Sequence, residues 1–197
     1  MTSQTSNLNL AKLDLPLDAE QDKWLKSTIR DVPDFPKEGI VFKDLTTLLQ
    51  DATALKFVLE TLANHSKKCK PDVIVGIEAR GFILAPAVAL ALGVGFVPIR
   101  KPKKLPCKVE RIEYALEYGT DTLEVHADAL SHGKRVVIID DLLATGGTAK
   151  AAYDLITKIG GTVAGMGFIT ELAFLEGRKI LQDAAGKETD VFSLIQF

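Results

Sequence analysis

Two adjacent aspartates, Asp140 and Asp141, follow an unbroken run of four β-branched residues at 136–139. Such a run is typical of a strand that is buried on both faces of a parallel sheet. The run stops abruptly at the acids, so we expect both carboxylates at the carboxyl edge of that sheet. Ligands of parallel sheets bind at this edge. The acid pair is therefore the first candidate for a functional site.

The five residues at 144–148, A-T-G-G-T, follow the acids and have the composition of an anion-binding loop. Successive backbone N–H groups in such a loop can surround a phosphate, and the helical pattern that follows adds a positive helix N-terminus. The spacing differs from the G-x-x-x-x-G-K-[ST] of Walker loops and from the dinucleotide-binding G-x-G-x-x-G. An ordinary strand–turn–helix connection with incidental glycines is the alternative. Residues 135–150 predict a phosphate site beside two acids.

A second strand–loop–helix unit carries Glu78, Ala79 and Arg80 between an apolar strand at 73–77 and an almost wholly apolar helix at 82–92. Its loop is expected at the same edge of the sheet as the first. Arg80 is then well placed to pair with a phosphate in bidentate fashion. The alternative is a surface ion pair between Glu78 and Arg80.

Alternating strand and helix patterns along the chain position these loops. Further strands are predicted at 40–44, 95–100, 163–170 and 191–197, with helices from Asp18 to about Arg30 and after an N-cap at Asp51. This alternation predicts an α/β fold with a central, mainly parallel sheet and right-handed crossovers. Residues 18–197 are predicted to form one domain, preceded by a polar, poorly ordered lead-in at 1–17.

A basic, proline-stiffened segment at 101–106 leads into two alternating arms, at 109–116 and 122–126, joined by a turn at 119–121. Both faces of the first arm carry charges, so this hairpin is predicted to be poorly buried and mobile. A basic, mobile hairpin next to a phosphate site is a candidate lid.

The composition excludes several classes of protein. Hydrophobic residues make up 47% of the chain, charged residues 25%, and the formal net charge is -2, so no global attraction to nucleic acid or anionic membranes is expected. Cys69 and Cys107 lack disulfide or zinc-site spacing and are expected to be free thiols in a reducing cytoplasm. No signal peptide or membrane span is predicted. The three histidines are dispersed, and we interpret them as structural or surface groups.

Four motifs, in order and spacing, resemble the adenine phosphoribosyltransferase family: D-F-P-K-E-G-I-V-F-K-D at 34–44, G-I-E-A-R-G-F at 76–82, Y-A-L-E-Y-G at 114–119 and D-D-L-L-A-T-G-G-T at 140–148. The resemblance covers about 29–197. It implies a type I phosphoribosyltransferase fold, with a small hood over the base site formed by about 31–50 and the C-terminal segment, and a mobile flap at about 101–122. The implied reaction is adenine plus phosphoribosyl pyrophosphate (PRPP) giving AMP and pyrophosphate in purine salvage, with magnesium.

The resemblance also implies roles for individual residues. Asp140 and Asp141 would hold the ribose hydroxyls and, directly or through water, a magnesium ion carried mainly by PRPP. Arg100 would reach the neighbouring subunit's site in a homodimer, and the Glu78–Ala79 peptide would be cis. The implied PRPP contacts are Glu78, Ala79, Arg80, Arg100, Lys104, Tyr118, Asp140, Asp141, Ala144, Thr145, Gly146, Gly147 and Thr148.

For the base, the resemblance assigns backbone groups of Val41 to the purine edge and the side chains of Phe42 and Leu142 to the two faces of the ring. Lys43 is a further contact, at a position where many relatives carry arginine, and it offers no planar fork. Ala144 stands where enzymes for 6-oxopurines carry an aspartate, so this loop supplies no base. The resemblance names Glu117 of the flap as the proton acceptor, and a closed flap would exclude water.

Two alternatives follow from the same residues. A phosphoribosyltransferase for 6-oxopurines would share the PRPP half of the site and differ around Val41, Phe42, Lys43 and Ala144. A PRPP-sensing regulator would bind nucleic acid, which requires a DNA-binding module or a basic face. The short N-terminal extension and the net charge of -2 provide neither.

Overall fold

A parallel five-stranded sheet forms the centre of the computed structural model, which describes residues 9–116, 119–130 and 133–197. Its strand order is β4 (Gly95–Ile99), β3 (Val73–Ile77), β7 (Arg135–Leu143), β8 (Thr162–Glu171) and β9 (Asp190–Gln196). All four neighbouring pairs are parallel. The α/β class and these strands are confirmed. The chain leaves β3 towards one edge and β7 towards the other, so the order reverses between these two strands.

Helices cover both faces of the sheet. One face carries α1 (Ala19–Ser27), α3 (Ala52–Lys68) and α4 (Gly81–Leu92). The other face carries α5 (Gly147–Lys158), α6 (Gly177–Ala185) and a hairpin of β5 (Val109–Leu116) and β6 (Gly119–His126). Within β7, Val136 and Ile138 face the second layer, and Val137 and Ile139 face the first. All four are fully buried, which explains the uninterrupted apolar run.

The segment predicted to form the hood contains an antiparallel pair, β1 (Arg30–Pro33) and β2 (Val41–Asp44), followed by the short helix α2 (Thr46–Gln50). The prediction that the first helix continues to about Arg30 is wrong. That helix ends at Ser27, where the backbone N–H of Thr28 donates to Leu25, because residues 30–33 pair with β2 instead. Strand pairing here overrides the helical spacing of the apolar residues.

The hairpin of β5 and β6 differs from the predicted, poorly buried lid. Leu123 and Val125 on β6 are fully buried against the core, while the described side chains of β5 are exposed or half-buried. The backbone groups of Arg100 and Glu124 exchange two hydrogen bonds of 2.8 Å, which fix the base of the hairpin to the end of β4. The apolar alternation of β6 thus outweighs the charges of β5.

Residues 9–17, the described part of the predicted lead-in, contact the domain. Leu10, Leu13, Leu15 and Leu17 pack against the first core layer. The side-chain amide of Gln21, on α1, donates to the backbone oxygens of Asn9 and Lys12 at 2.7 and 2.8 Å. Regularly spaced leucines therefore hold this polar segment to the domain.

Within the described ranges, the longest and most apolar helices are too short or too polar to cross a bilayer.

The N-cap of α3 offers a test of the local energetics. Asp51 Oδ1 accepts hydrogen bonds from the backbone N–H groups of Thr53 and Ala54 at 2.8 and 2.9 Å. Asp51→Ala leaves both donors unpaired and should lower the free energy of unfolding by about 1 kcal/mol. Urea denaturation with an unchanged m-value would measure this loss.

Glu60→Ala, on the same helix, is the matched control. Its exposed carboxylate lies 3.8 Å from Lys56, and its loss should cost less than about 0.5 kcal/mol. Equal losses for the two variants would contradict a specific capping role.

Candidate active site

The two predicted acids lie at the reversal of strand order, although they do not end their strand. β3 pairs with β7 only as far as Gly76 and Ile139. β7 continues along β8, with Asp140 opposite Phe168 and Leu143 opposite Glu171. The predicted end of the strand at the acids is therefore wrong on the β8 side and right on the β3 side. The acids lie on β7 beyond the point where its pairing with β3 ends, at the position where ligands of such sheets bind.

Asp140 lies under the first turn of α4. A Cβ at Gly81 would stand 2.8 Å from the backbone oxygen of Ile139 and 3.0 Å from Asp140 Oδ1, so only glycine permits this approach. Burial, and next the adjacent Asp141 carboxylate, raise the pKa of Asp140 well above its usual range. The site therefore holds one acid for which the charged form is disfavoured.

Asp141 is compensated by a cation from the neighbouring loop. Its side chain is 9% exposed and accepts a hydrogen bond from Arg80 Nε, whereas the Arg80 side chain is 45% exposed. The exposed part of the guanidinium leaves donors for a further partner. The predicted meeting of the two loops is thus observed, with Arg80 joined to an acid of the other loop.

Glu78 pairs with Arg100 rather than with Arg80, so the alternative of a Glu78–Arg80 surface pair is wrong. Arg100 Nε and Nη2 donate to the two carboxylate oxygens at 3.1 and 3.3 Å, and the backbone N–H of Lys101 donates at 3.1 Å. Burial alone would raise the pKa of Glu78, but these hydrogen bonds and the nearby Lys104, at 4.0 Å, lower it. The Glu78–Ala79 peptide is cis.

The loop after β7 has the shape expected of an anion cradle. Residues 144–146 bend, Gly146 adopts a φ of +83°, and α5 begins at Gly147. Thr145 is exposed, and Ala144 and Thr148 are half-buried. The positive φ explains the glycine at 146, and the helix start supplies the N–H groups and the dipole.

The residues predicted to contact the base lie on β2 and β7. Val41 is 51% exposed, and Phe42 makes an edge-to-face contact with Phe35 at a centroid distance of 5.2 Å. Leu142 is half-buried on β7. Hydrogen bonds with Thr46 chiefly lower the pKa of Asp44, and the charges of Arg30 and then Arg80 lower it further, which links β2 to Arg80 electrostatically.

The Lys43 side chain is occupied within the hood. Its Nζ lies 2.7 Å from Asp31 Oδ1 and 4.2 Å from the centre of the Phe197 ring. Lysine lacks the extra donors of arginine, so these two partners use much of what it offers. Lys43 thus joins the hood to the C-terminus.

Two of the predicted site residues, Glu117 and Tyr118, lie outside the described residues. Nearer the base of the flap, the Tyr114 hydroxyl lies 3.4 Å from the Thr148 hydroxyl and 3.2 Å from both Lys101 Nζ and Asp121 Oδ2. The sequence interpretation did not assign this cluster to the site. The only local signal was the position of Tyr114 in the Y-A-L-E-Y-G motif.

A metal site made by the protein alone is not found in the part of the chain that the structure describes, where no three His, Cys, Asp or Glu side chains form a suitable cluster. The two acids on β7 are the available carboxylates, and one of them already faces Arg80.

Comparison with known proteins agrees with this geometry. The phosphoribosyl transferase domain family matches residues 45–177. The adenine phosphoribosyltransferase of Solibacter usitatus is 58% identical over 173 residues, which cover 88% of this chain and 97% of that protein.

Solved structures show the same fold. Adenine phosphoribosyltransferase from Thermoanaerobacter pseudethanolicus superposes with a TM-score of 0.82 at 51% identity, covering 89% of this chain and 99% of that one. The enzyme from Saccharomyces cerevisiae, complexed with an imino-altritol bisphosphate and adenine, gives 0.81 at 37% identity, with 89% and 99% covered. The chain therefore belongs to the adenine phosphoribosyltransferase family of enzymes.

Proposed function

We propose that this enzyme transfers the 5-phosphoribosyl group of PRPP to N9 of adenine, giving AMP and pyrophosphate. The observation that carries the proposal is the meeting of Asp140, Asp141, Arg80 and the loop at 144–148 where the strand order reverses. The site then combines acids for a sugar, a cradle for one phosphate and cations for another. The adenine bound by the yeast relative supports the choice of base.

The acids fit the electrostatics of the reaction. Displacement of pyrophosphate from the anomeric carbon builds positive charge on the ribose ring, as in other glycosyl transfers. Asp140 and Asp141 accept hydrogen bonds from the ribose hydroxyls and stabilise this charge. The pKa of Asp140 is raised by burial and by Asp141, so a developing positive charge beside the pair relieves an unfavourable interaction that already exists.

The leaving group requires cations on the other side. The guanidinium of Arg80 is partly exposed, and it can exchange Asp141 for a phosphate oxygen. Lys104, with a side chain 53% exposed, lies near Glu78 and provides a second cation. Ala79, Arg100 and Tyr118 complete the proposed pyrophosphate contacts, while residues 144–148 receive the 5'-phosphate.

Magnesium fits this site as part of a PRPP complex. The ion binds proteins through one or two carboxylates together with substrate phosphates, and the two acids on β7 form such a pair. Asp140 or Asp141 would hold it, directly or through water. The ion neutralises charge on the leaving group when bound.

The hood receives adenine. The exposed position of Val41 leaves its backbone groups accessible for the purine edge, and Phe42 and Leu142 are apolar groups for its faces. Lys43 is proposed as a further contact, and such a contact competes with its pairing to Asp31. The loop offers no base because residue 144 is alanine, so Glu117 of the flap accepts the proton.

We also propose a homodimer in the cytoplasm. Ile83 and Leu90 on α4 are 50% and 83% exposed. They are seven residues apart and therefore lie on the same face of the helix, which a second copy of the chain can cover. The Arg100 guanidinium lies 5.7 Å from the centre of the ring of Phe82, the residue before Ile83. Cys69 and Cys107 are free thiols, as suits a reducing compartment.

Release of pyrophosphate from PRPP, measured with adenine, hypoxanthine and guanine in parallel, tests the proposed function. We expect adenine-dependent release with magnesium present. Preference for a 6-oxopurine would overturn the choice of base. PRPP binding without turnover would favour a regulator instead.

The flap acid gives a kinetic prediction. Glu117→Ala should lower kcat by about 100-fold or more, the range of general acid–base catalysis, with the KM for PRPP largely kept. Asp141→Ala should lower kcat and also raise the KM for PRPP, because Asp141 is proposed to contact the sugar. Steady-state kinetics separate these effects. Glu113 is an exposed acid on the same hairpin, so Glu113→Ala serves as the control. Full kcat in Glu117→Ala would exclude the flap base.

The charged form of Asp140 should lower the stability of the folded protein at neutral pH, although the proposed reaction uses this carboxylate. Its pKa is higher in the folded protein than the unfolded value of about 3.9, so the folded state binds more protons and loses stability as the pH rises above that value. Asp140→Asn should therefore raise the melting temperature at pH 7 in a chelating buffer, with activity reduced, and this gain should shrink towards pH 4.5.

Asp44→Asn is the contrasting variant for this measurement. The pKa of Asp44 is lowered, chiefly by its hydrogen bond with Thr46, so its contribution to stability is present above the unfolded pKa and lost only at lower pH. Thermal unfolding should show a loss of melting temperature for this variant that is constant between pH 5.5 and 8, because this whole range lies about 1.5 units or more above the model-peptide pKa.

A pH-independent effect of Asp140→Asn would contradict the assignment of a raised pKa.

A further inference from the structure

The loop at 144–148 rests on a surface that the sequence did not associate with it. Gly177, the first residue of α6, is buried against the backbone of this loop. A Cβ at Gly177 would lie 2.1 Å from the backbone oxygen of Ala144 and 2.8 Å from the backbone nitrogen of Gly146. Conversely, a Cβ at Gly146 would lie 2.7 Å from the backbone oxygen of Gly177. The two backbones are therefore in direct contact.

The local conformation does not explain why residue 177 is a glycine. Gly177 does not adopt a positive φ, and it begins a helix, a structure whose interior favours alanine over glycine by about 1 kcal/mol. Helix propensity alone would thus favour a larger residue. The absence of a side chain has its reason in the loop that Gly177 touches.

The next residue fixes the start of α6. Arg178 Nε donates to both carboxylate oxygens of Glu171, at 2.9 and 3.2 Å, and Nη2 donates to the Ser193 hydroxyl at 3.0 Å. Burial would raise the pKa of Glu171, but the hydrogen bonds from Arg178 and Ser193 lower it. The side chain of Glu171 is 5% exposed, so its carboxylate is nearly buried. Both of its oxygens accept hydrogen bonds, as a buried ion pair requires.

Glu171 also stands beside the residue that leads into the loop. It pairs with Leu143 across β7 and β8, and the backbone N–H of Leu172 donates to the oxygen of Leu143 at 2.9 Å. The ion pair therefore anchors α6 to the same point of the sheet from which the loop departs. One side of the loop is set by β7 and the other by Gly177.

We propose that Gly177 and the Glu171–Arg178 pair are positioning residues for the 5'-phosphate loop. Together they set the path of residues 144–146, and hence the directions of the backbone N–H groups that bind the phosphate. The inference deepens the proposed function and rests on it, since it takes this loop as the phosphate site. A side chain at 177 must displace backbone, because the atoms it meets belong to the loop and not to a movable side chain.

Gly177→Ala should weaken binding of ribose 5-phosphate, measured by isothermal titration calorimetry, by about 10-fold to 100-fold, since misplacement of about 1 Å has effects of this size. The KM for PRPP should rise by a similar factor, with the KM for adenine changed less than about two-fold. Gly95→Ala is the matched control, because a Cβ there meets only Val73 Cγ2 at 3.8 Å. It should leave all three quantities unchanged.

Arg178→Lys keeps the charge but loses the fork, and it tests the same inference if Gly177→Ala does not fold. It should raise the KM for PRPP selectively, whereas a purely structural role would change adenine and PRPP together. Unchanged ribose 5-phosphate binding in a folded Gly177→Ala protein, or an equal loss of adenine affinity, overturns the inference.

The same experiment separates this inference from the function on which it rests. A wild-type protein that does not bind ribose 5-phosphate overturns both. A wild-type protein that binds it but forms no AMP overturns only the proposed reaction, and the comparison of Gly177→Ala with Gly95→Ala still decides the role of Gly177.

Discussion

The carboxyl groups of Asp140 and Asp141 are held beside each other where water has limited access, and the pKa of Asp140 rises as a result. Two neighbouring acids in such a place need a cation, and Arg80 from the adjacent loop provides it. This requirement ties β7 to the β3–α4 loop. Gly81 permits the close approach of α4, and the reversal of strand order leaves the space in which the acids stand. The rigid strand, in turn, keeps both acids in one geometry.

Two of the three acids at the site each face a cation. Asp141 faces Arg80, and Glu78 faces Arg100 with Lys104 nearby. A ligand with a sugar at one end and phosphates at the other can therefore bind by exchange of partners, without leaving a buried charge alone. The same arrangement explains why Arg80 is only partly buried. Its guanidinium has one partner in the fold and donors left for a phosphate.

The loops are held by packing from behind. The 144–148 loop lies between the end of β7 and Gly177, whose helix is anchored by the Glu171–Arg178 pair. Leu123 and Val125 of the hairpin join the core, and Tyr114, nearer the turn of the hairpin, lies near Thr148. Binding groups on loops thus acquire the precision of the sheet on which they rest. The residues behind the loops, among them Gly177 and Glu171, are buried, so the same contacts stabilise the fold and shape the site.

Local patterns along the sequence determined the α/β class, the central strands, the cap at Asp51 and the two loops that meet at the site. These features depend on the period of apolar residues and on the types of residue in short segments, which a sequence displays directly. The resemblance to a family supplied the roles of single residues. The end of the first helix and the burial of β6 depended on partners elsewhere in the chain, which the local spacing of apolar residues does not show.

Only the tertiary structure decided which charges pair. Sequence proximity suggested Glu78 with Arg80, whereas the fold joins Glu78 to Arg100 and Arg80 to Asp141. It likewise brought Gly177 against residues 144–146, which lie more than thirty residues earlier in the sequence. Ion pairs and close backbone contacts depend on distances across the fold, which neither composition nor periodicity encodes in any one segment. The residue types of the site were therefore evident from the sequence, and their partners were set by the sheet that brings them together.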